Sequence, residues 1–153
     1  MLRLQHIDAA LLPRAARWFS AQWEIPARVY AASMQAALTG DAAVPRWYVA
    51  LDERGAIVAG AGCIENDFHD QVACTPNLCA LYVEPAWRGK GVARALMRRI
   101  QADAAAHGVA RLYLVTEHTA FYERCGWTFV SMARGTDGAA LRLYAIDPRH
   151  ACT

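Results

Sequence analysis

The sequence has no uninterrupted apolar run near the ~20 residues that a membrane-spanning helix requires. It has little excess charge: a net +2 is too weak to argue for a nucleic-acid partner. It has no C-x-x-C pair, and its five cysteines, Cys63, Cys74, Cys79, Cys125 and Cys152, are odd in number. Its histidines do not gather near cysteines at ligand spacing, which argues against zinc. The opening Met1-Leu2-Arg3-Leu4-Gln5-His6 has neither the apolar block nor the cleavage pattern of a secretory signal. There are no repeats, linkers or low-complexity tracts. These absences predict a soluble protein of the reducing cytoplasm, with no metal and no membrane or nucleic-acid partner.

What is present is apolar and patterned. A 56% hydrophobic content excludes disorder, and 153 residues are most simply one domain, 1–153, with room for a core. Leu2 to Leu4 alternates as a short strand. Asp8 is placed to cap a helix from about Ala9 to Gln22, and Pro26 opens a second helix running to Leu38. Trp47–Leu51 and Ala56–Ile64 read as strands around the turn Asp52-Glu53-Arg54-Gly55. Glu65 to Asn77 is polar and breaks the pattern. Leu78–Val83 is a strand stopped by Glu84-Pro85. A helix follows from about Gly91 to Ala106, with Val92, Leu96, Ile100 and Ala104 on its apolar face. Arg111–Thr116 is a strand, Thr119–Arg124 a short helix, and Trp127–Met132 with Leu141–Ile146 a final hairpin.

Between the strand at Leu78–Val83 and the long helix lies Arg88-Gly89-Lys90-Gly91-Val92-Ala93. Two glycines at a helix entrance leave no side chains over the first turn. Its free N–H groups then point outward, with the positive end of the helix dipole behind them. That arrangement suits an anion, and a diphosphate fits it. A P-loop would need a hydroxyl residue for magnesium, but Val92 follows Gly91. The dinucleotide fingerprint needs a third glycine, but Arg94 stands there.

Arg88-x-x-Gly91-x-Ala93, following Tyr82-Val83-Glu84-Pro85, resembles the pyrophosphate loop of the GCN5-related N-acetyltransferases, the GNAT family. Phe121-Tyr122-Glu123-Arg124-Cys125-Gly126-Trp127 is similar to that family's Phe-Tyr-x-x-x-Gly segment with Phe or Trp following. The resemblance covers roughly residues 46 to 146. It implies an α+β, three-layer GNAT fold: a mixed, mostly antiparallel sheet of six to seven strands, with about four helices on both faces. In that fold the strands before and after the long helix are parallel and splay apart, and acetyl-CoA lies in the opening.

The resemblance also implies roles. Backbone groups of Leu81, Tyr82 and Val83 hold the pantetheine arm, and a bulge in that strand exposes an N–H to the thioester carbonyl. The N–H groups of the segment Arg88, Gly89, Lys90, Gly91, Val92, Ala93 and Arg94 take the diphosphate, with Lys90 a candidate for steering the anion. Tyr122 donates a proton to the departing CoA thiolate. Many relatives carry an Asn and a longer helix before that tyrosine, whereas this chain has Thr116-Glu117-His118-Thr119-Ala120. His118 and Tyr122 are four apart and would share a helix face, so His118 is a candidate to bond the tyrosine or to deprotonate the amine.

The family signature fixes no base. Glu65, Asp67, His69 and Asp70 form the other candidate group, and His69 is suited to proton removal near neutral pH. Trp18, Trp23, Glu24 and Tyr30 are candidates to wall the acceptor site. Cys79 and Cys125 have no base at a recognisable spacing, which favours direct transfer over an acetyl-cysteine. The expected activity is acetyl-CoA-dependent N-acetylation of a primary amine, that of a small molecule first and a protein N-terminus or lysine second. A non-catalytic acyl-CoA sensor is the reading from another class; Tyr122 argues against it, because a pure binder needs no acid. The resemblance also allows a homodimer.

Overall fold

The computed structural model describes residues 1–150, so Cys152 lies outside the described residues. In chain order the elements are β1 (Arg3–His6), α1 (Leu12–Trp23), α2 (Ala27–Thr39), β2 (Arg46–Leu51), β3 (Ile57–Ile64), β4 (Asn77–Val83), α3 (Val92–Ala106), β5 (Leu112–Thr116), α4 (Ala120–Arg124), β6 (Thr128–Arg134) and β7 (Ala140–Ile146). A short 3-10 turn, Pro85–Trp87, joins β4 to the α3 entrance. The seven strands form one sheet in the order β1-β2-β3-β4-β5-β7-β6. Neighbours are antiparallel except β4 and β5. No helix among the described residues is long and apolar enough to cross a membrane.

Several boundaries differ from the sequence reading, for local reasons. β1 reaches His6 because all four of its residues pair with β2. The carboxylate of Asp8 accepts the Leu11 N–H at 2.8 Å, so it caps a turn, and α1 begins only at Leu12. β6 runs on to Arg134 because Ala133 and Arg134 still pair with Leu141 and Ala140. Asn77 belongs to β4 rather than to the polar loop before it.

The sheet carries a core on each face. On one, α3 buries Val92, Leu96, Met97, Ile100 and Ala104 against β-strand residues such as Leu78, Leu112 and Tyr144. On the other, Ala15, Ala16 and Phe19 of α1 and Tyr30 and Met34 of α2 pack over Trp47, Val49 and Cys79. Burial of this size, at about 25 cal/mol per Å² of apolar surface, is the main favourable contribution to folding.

β3 contributes space to the second face. A Cβ on Gly60 would lie 2.6 Å from the Phe19 ring, and one on Gly62 would lie 2.6 Å from the Trp47 ring. Trp47 is the cross-strand partner of Gly62, is buried, and donates its indole N–H to Ser33 Oγ at 2.8 Å. The ring is therefore held and cannot easily withdraw. Gly62→Ala is expected to destabilise the protein by about 1–3 kcal/mol through overpacking. A urea denaturation midpoint at the wild-type value would refute this.

Candidate active site

β4 determines the geometry of the site. It pairs with β3 through Gly60↔Tyr82 and Gly62↔Cys79, so two β4 residues oppose the single residue Ala61. That is a bulge, and Ala80 within it has φ +54. A non-glycine residue in the left-handed region is strained by its Cβ. The bulge turns consecutive side chains, Cys79 and Ala80, to the α1/α2 face, while Leu81 and Val83 pack on the α3 face. With β5, the strand pairs only at Asn77↔Tyr113, and beyond that point the two strands part. Leu81, Tyr82 and Val83 therefore border an opening in the sheet.

The loop after β4 is folded back on the strand end. The N–H of Glu84 donates to Val58 O at 2.8 Å, and Arg88 Nε donates to Val83 O at 2.8 Å. The Arg88 guanidinium also lies 5.3 Å from the Tyr82 ring centroid, and the Lys90 ammonium 5.2 Å from that of Trp87. Gly89 and Gly91 have φ +74 and +81, and a Cβ on either would find no atom within 4 Å. Both positions thus need glycine for the backbone, and both face open space. Gly91 caps α3, whose first-turn N–H groups, Val92 and Ala93 among them, have no acceptor within the helix. Such an open helix start has the physical character that suits an anion.

Tyr122 projects from α4 on the α3 side. It is half-buried between the rings of Phe121 (5.1 Å), Trp127 (6.3 Å) and Tyr144 (6.4 Å). Burial, and then the charges of Cys125 and Asp67, push its phenol up to about 12, so the hydroxyl keeps its proton near neutral pH. Just past the end of α4, Gly126 has φ +92, and a Cβ there would meet the His150 ring at 2.8 Å.

His118 does not join Tyr122. α4 starts at Ala120, so His118 lies outside the helix and the shared face is lost. Its backbone N–H is held by Thr116 Oγ1 at 3.0 Å and its side chain is exposed.

His69 is 4% exposed and both its ring nitrogens are engaged. Nδ1 accepts the Gln71 N–H at 3.1 Å, which leaves the proton on Nε2, and Nε2 donates to Asn77 Oδ1 at 2.7 Å. No lone pair remains for a proton from an amine, so the ring's role here is to fix the loop. Asn77 completes that frame by donating to Glu65 O (3.2 Å) and Cys74 O (2.8 Å). Asn66 closes a turn over His69, accepting its N–H at 2.9 Å. Phe68 within that turn has φ +60. Asp70 ties the loop to β6, where its Oδ1 accepts the Arg134 N–H at 2.9 Å.

The fixed loop presents Asp67. Its carboxylate accepts no hydrogen bond among the described residues, and burial pushes it up to about 6. Its charge is felt by Tyr30, Cys79 and Tyr122, which it biases toward their protonated forms. Asp67 also lines a cavity of about 640 Å³ on the α2 side of the bulge, together with Tyr30, Trp47, Cys79 and Ala80. Of the four expected wall residues, Tyr30 alone lines it. Trp18 packs on Tyr82 and donates to Glu84 Oε1 at 2.9 Å, Trp23 lies against Tyr82, and Glu24 caps α1. Full burial raises the Cys79 thiol well above its ordinary value, which disfavours a thiolate nucleophile. Among the described residues no group of three His, Cys, Asp or Glu is placed to hold a metal ion.

The polar loop is where the sequence was least informative. Asn77 is distinguished by its burial and Asp67 by its place on the cavity wall, neither of which a local pattern signals.

Comparison with solved structures places this architecture among acetyltransferases. The chain matches the Salmonella typhimurium protein yncA, solved with acetyl-CoA as its cofactor, at TM-score 0.72 and 16% identity, over 100% of this chain and 97% of the other. It matches an aminoglycoside 6'-N-acetyltransferase complexed with coenzyme A at TM-score 0.73 and 16% identity, over 97% and 98%. It matches the ribosomal-protein-S18-alanine N-acetyltransferase of Escherichia coli at TM-score 0.70 and 18% identity, over 99% and 96%. At these identities the likeness is one of fold. No curated protein matches the chain in sequence. A family model does: residues 44–129, which hold the bulged strand, the glycine cradle and the tyrosine segment, match the acetyltransferase (GNAT) domain. With more than half its length matched, the chain belongs to the GNAT family of acetyltransferases.

Proposed function

We propose that this acetyltransferase moves the acetyl group of acetyl-CoA directly to a primary amine, that of a small molecule. The observation that carries the reading is the open glycine cradle at the start of α3, set beside a bulged, splayed strand. The residues fit the co-substrate. The cradle clears a diphosphate, and the β5-facing edge of Leu81–Val83 offers backbone groups to an extended arm. Bound acetyl-CoA supplies an activated thioester, the acyl donor.

The chain's own groups then have separate work. The first turn of α3 holds negative charge. The bulge at Ala80 interrupts the regular pairing of β4 with β3, the kind of irregularity that can free an N–H to polarise a carbonyl. Tyr122 keeps a proton for the leaving sulfur. The raised Cys79 thiol favours direct attack by the amine over an acetyl-enzyme.

Among the fold relatives, one is named for an aminoglycoside and another for a protein alanine, so kinship alone does not choose the acceptor. The cavity beside Ala80, at about 640 Å³, is of the size that takes a small molecule. Titration calorimetry is expected to give acetyl-CoA affinity in the micromolar range, about −8 kcal/mol. Absence of any heat with acetyl-CoA or CoA would overturn the reading. Binding without CoA release across a panel of amines would favour a sensor instead.

A further inference from the structure

Resting on the acetyltransferase reading, we propose that the cavity lined by Cys79 and Ala80 takes a primary amine carried on an uncharged, apolar body, with Asp67 as the group that holds its ammonium.

The walls argue for the body. Ile25, Val29, Tyr30, Trp47, Ile64 and Phe68 present hydrocarbon and aromatic faces around about 640 Å³. That volume lies in the usual range for small-ligand sites. Two of the wall's polar side chains are already engaged. Ser33 Oγ accepts the Trp47 indole N–H at 2.8 Å, and the amide of Asn66 is used on both sides by His69. A sugar would bury several hydroxyls against these apolar faces, at a cost for each one left without a partner.

The charges argue for the amine and against an acid. Glu65 and Asp67 line the cavity, and no Lys, Arg or His does. A carboxylate on the substrate would meet like charge and no donor. An ammonium would meet Asp67, a carboxylate with no hydrogen bond of its own among the described residues. The charge of the same carboxylate is felt at Tyr122.

The proton count closes. The ammonium gives one proton to Asp67, which frees the nitrogen lone pair, and Asp67 passes that proton to solvent. The nitrogen bonds to the acetyl carbon as the carbon–sulfur bond breaks. Tyr122 protonates the sulfur and is restored by the second nitrogen proton. The products are the N-acetyl amine, CoA thiol and one proton.

The test follows CoA release from acetyl-CoA with 2-phenylethylamine, phenylalanine, spermidine and a hexapeptide with a free N-terminus. Phenylethylamine is expected to have the highest kcat/KM. Phenylalanine, which adds a carboxylate to the same body, is expected to fall ~100-fold below it. Asp67→Asn is expected to lower kcat/KM for phenylethylamine about 100-fold, with acetyl-CoA affinity by calorimetry unchanged. Val29→Arg, at a half-exposed wall position, should also lower it by placing a cation beside the amine. Equal use of phenylalanine, preference for spermidine or the peptide, or an Asp67→Asn enzyme of wild-type kcat/KM would each overturn the proposal. So would acetyl-CoA binding with none of these amines acetylated. Failure to bind acetyl-CoA would instead remove the acetyltransferase reading on which it rests.

Discussion

Tyr122→Phe is expected to lower kcat by about 10²–10³-fold while leaving acetyl-CoA affinity and stability near wild type. The structural side rests on packing. The Tyr122 ring lies among Phe121, Trp127 and Tyr144, and its hydroxyl has no hydrogen-bond partner among the described residues. Phenylalanine keeps the ring and leaves no group newly unpaired, so the stability change should stay within about 0.5 kcal/mol. The chemical side is a matter of proton affinities. The phenol stands at about 12 in this site, whereas a thiol ordinarily stands near 8.5, so complete proton transfer from tyrosine to sulfur would be uphill on its own. It becomes favourable only when the acylated nitrogen returns a proton to the phenolate in the same event. On the proposed mechanism Tyr122 acts in the transition state and not in binding, which places the expected loss in kcat. Equal losses in kcat and in acetyl-CoA affinity would assign Tyr122 to the scaffold instead.

The parts of this site that the sequence made legible are those built from neighbours in the chain. Gly89 and Gly91 could be read because a helix entrance imposes its own backbone conformation, whatever packs around it. Tyr122 could be read because Gly126, four residues on, must end the helix beneath it. The bulge at Ala80 was expected only through the family resemblance, since an alanine at φ +54 leaves no mark in composition.

His118 shows where periodicity misleads. A spacing of four places two side chains on one face only if a helix spans both, and β5 continues to Thr116, so α4 has no room to begin before Ala120. The loop from Glu65 to Pro76 shows a different limit. Glu65, Asp67, His69 and Asp70 look alike in a polar run. They are separated by contacts from elsewhere: Asn77 seals His69, Arg134 takes Asp70, and the cavity receives Asp67. The side chains of this loop are sorted by contacts that other parts of the chain supply.

Asn77→Ala is expected to be the most damaging substitution outside the sheet core. The amide is fully buried at the one point where β4 and β5 still pair. It accepts from His69 Nε2 at 2.7 Å and from the Asp67 N–H at 3.4 Å, and it donates to the carbonyls of Glu65 and Cys74. Truncation strands a buried imidazole N–H and two carbonyls. At about 1–3 kcal/mol for each unsatisfied group, partly offset by entering water, the loss should reach about 3–4 kcal/mol. Because the two groups share one bond, Asn77→Ala and His69→Ala should be strongly non-additive, with the double variant losing far less than the sum. The functional consequence should be selective. Asp67 depends on this frame, whereas the diphosphate loop is held independently by Arg88 on Val83 and Glu84 on Val58. kcat/KM for the amine should therefore fall by at least ~10-fold while acetyl-CoA affinity changes little, since displacing a positioned group by 1 Å is already costly. Additive losses in the cycle, or a parallel loss of acetyl-CoA binding, would refute the frame as the device that holds Asp67 in place.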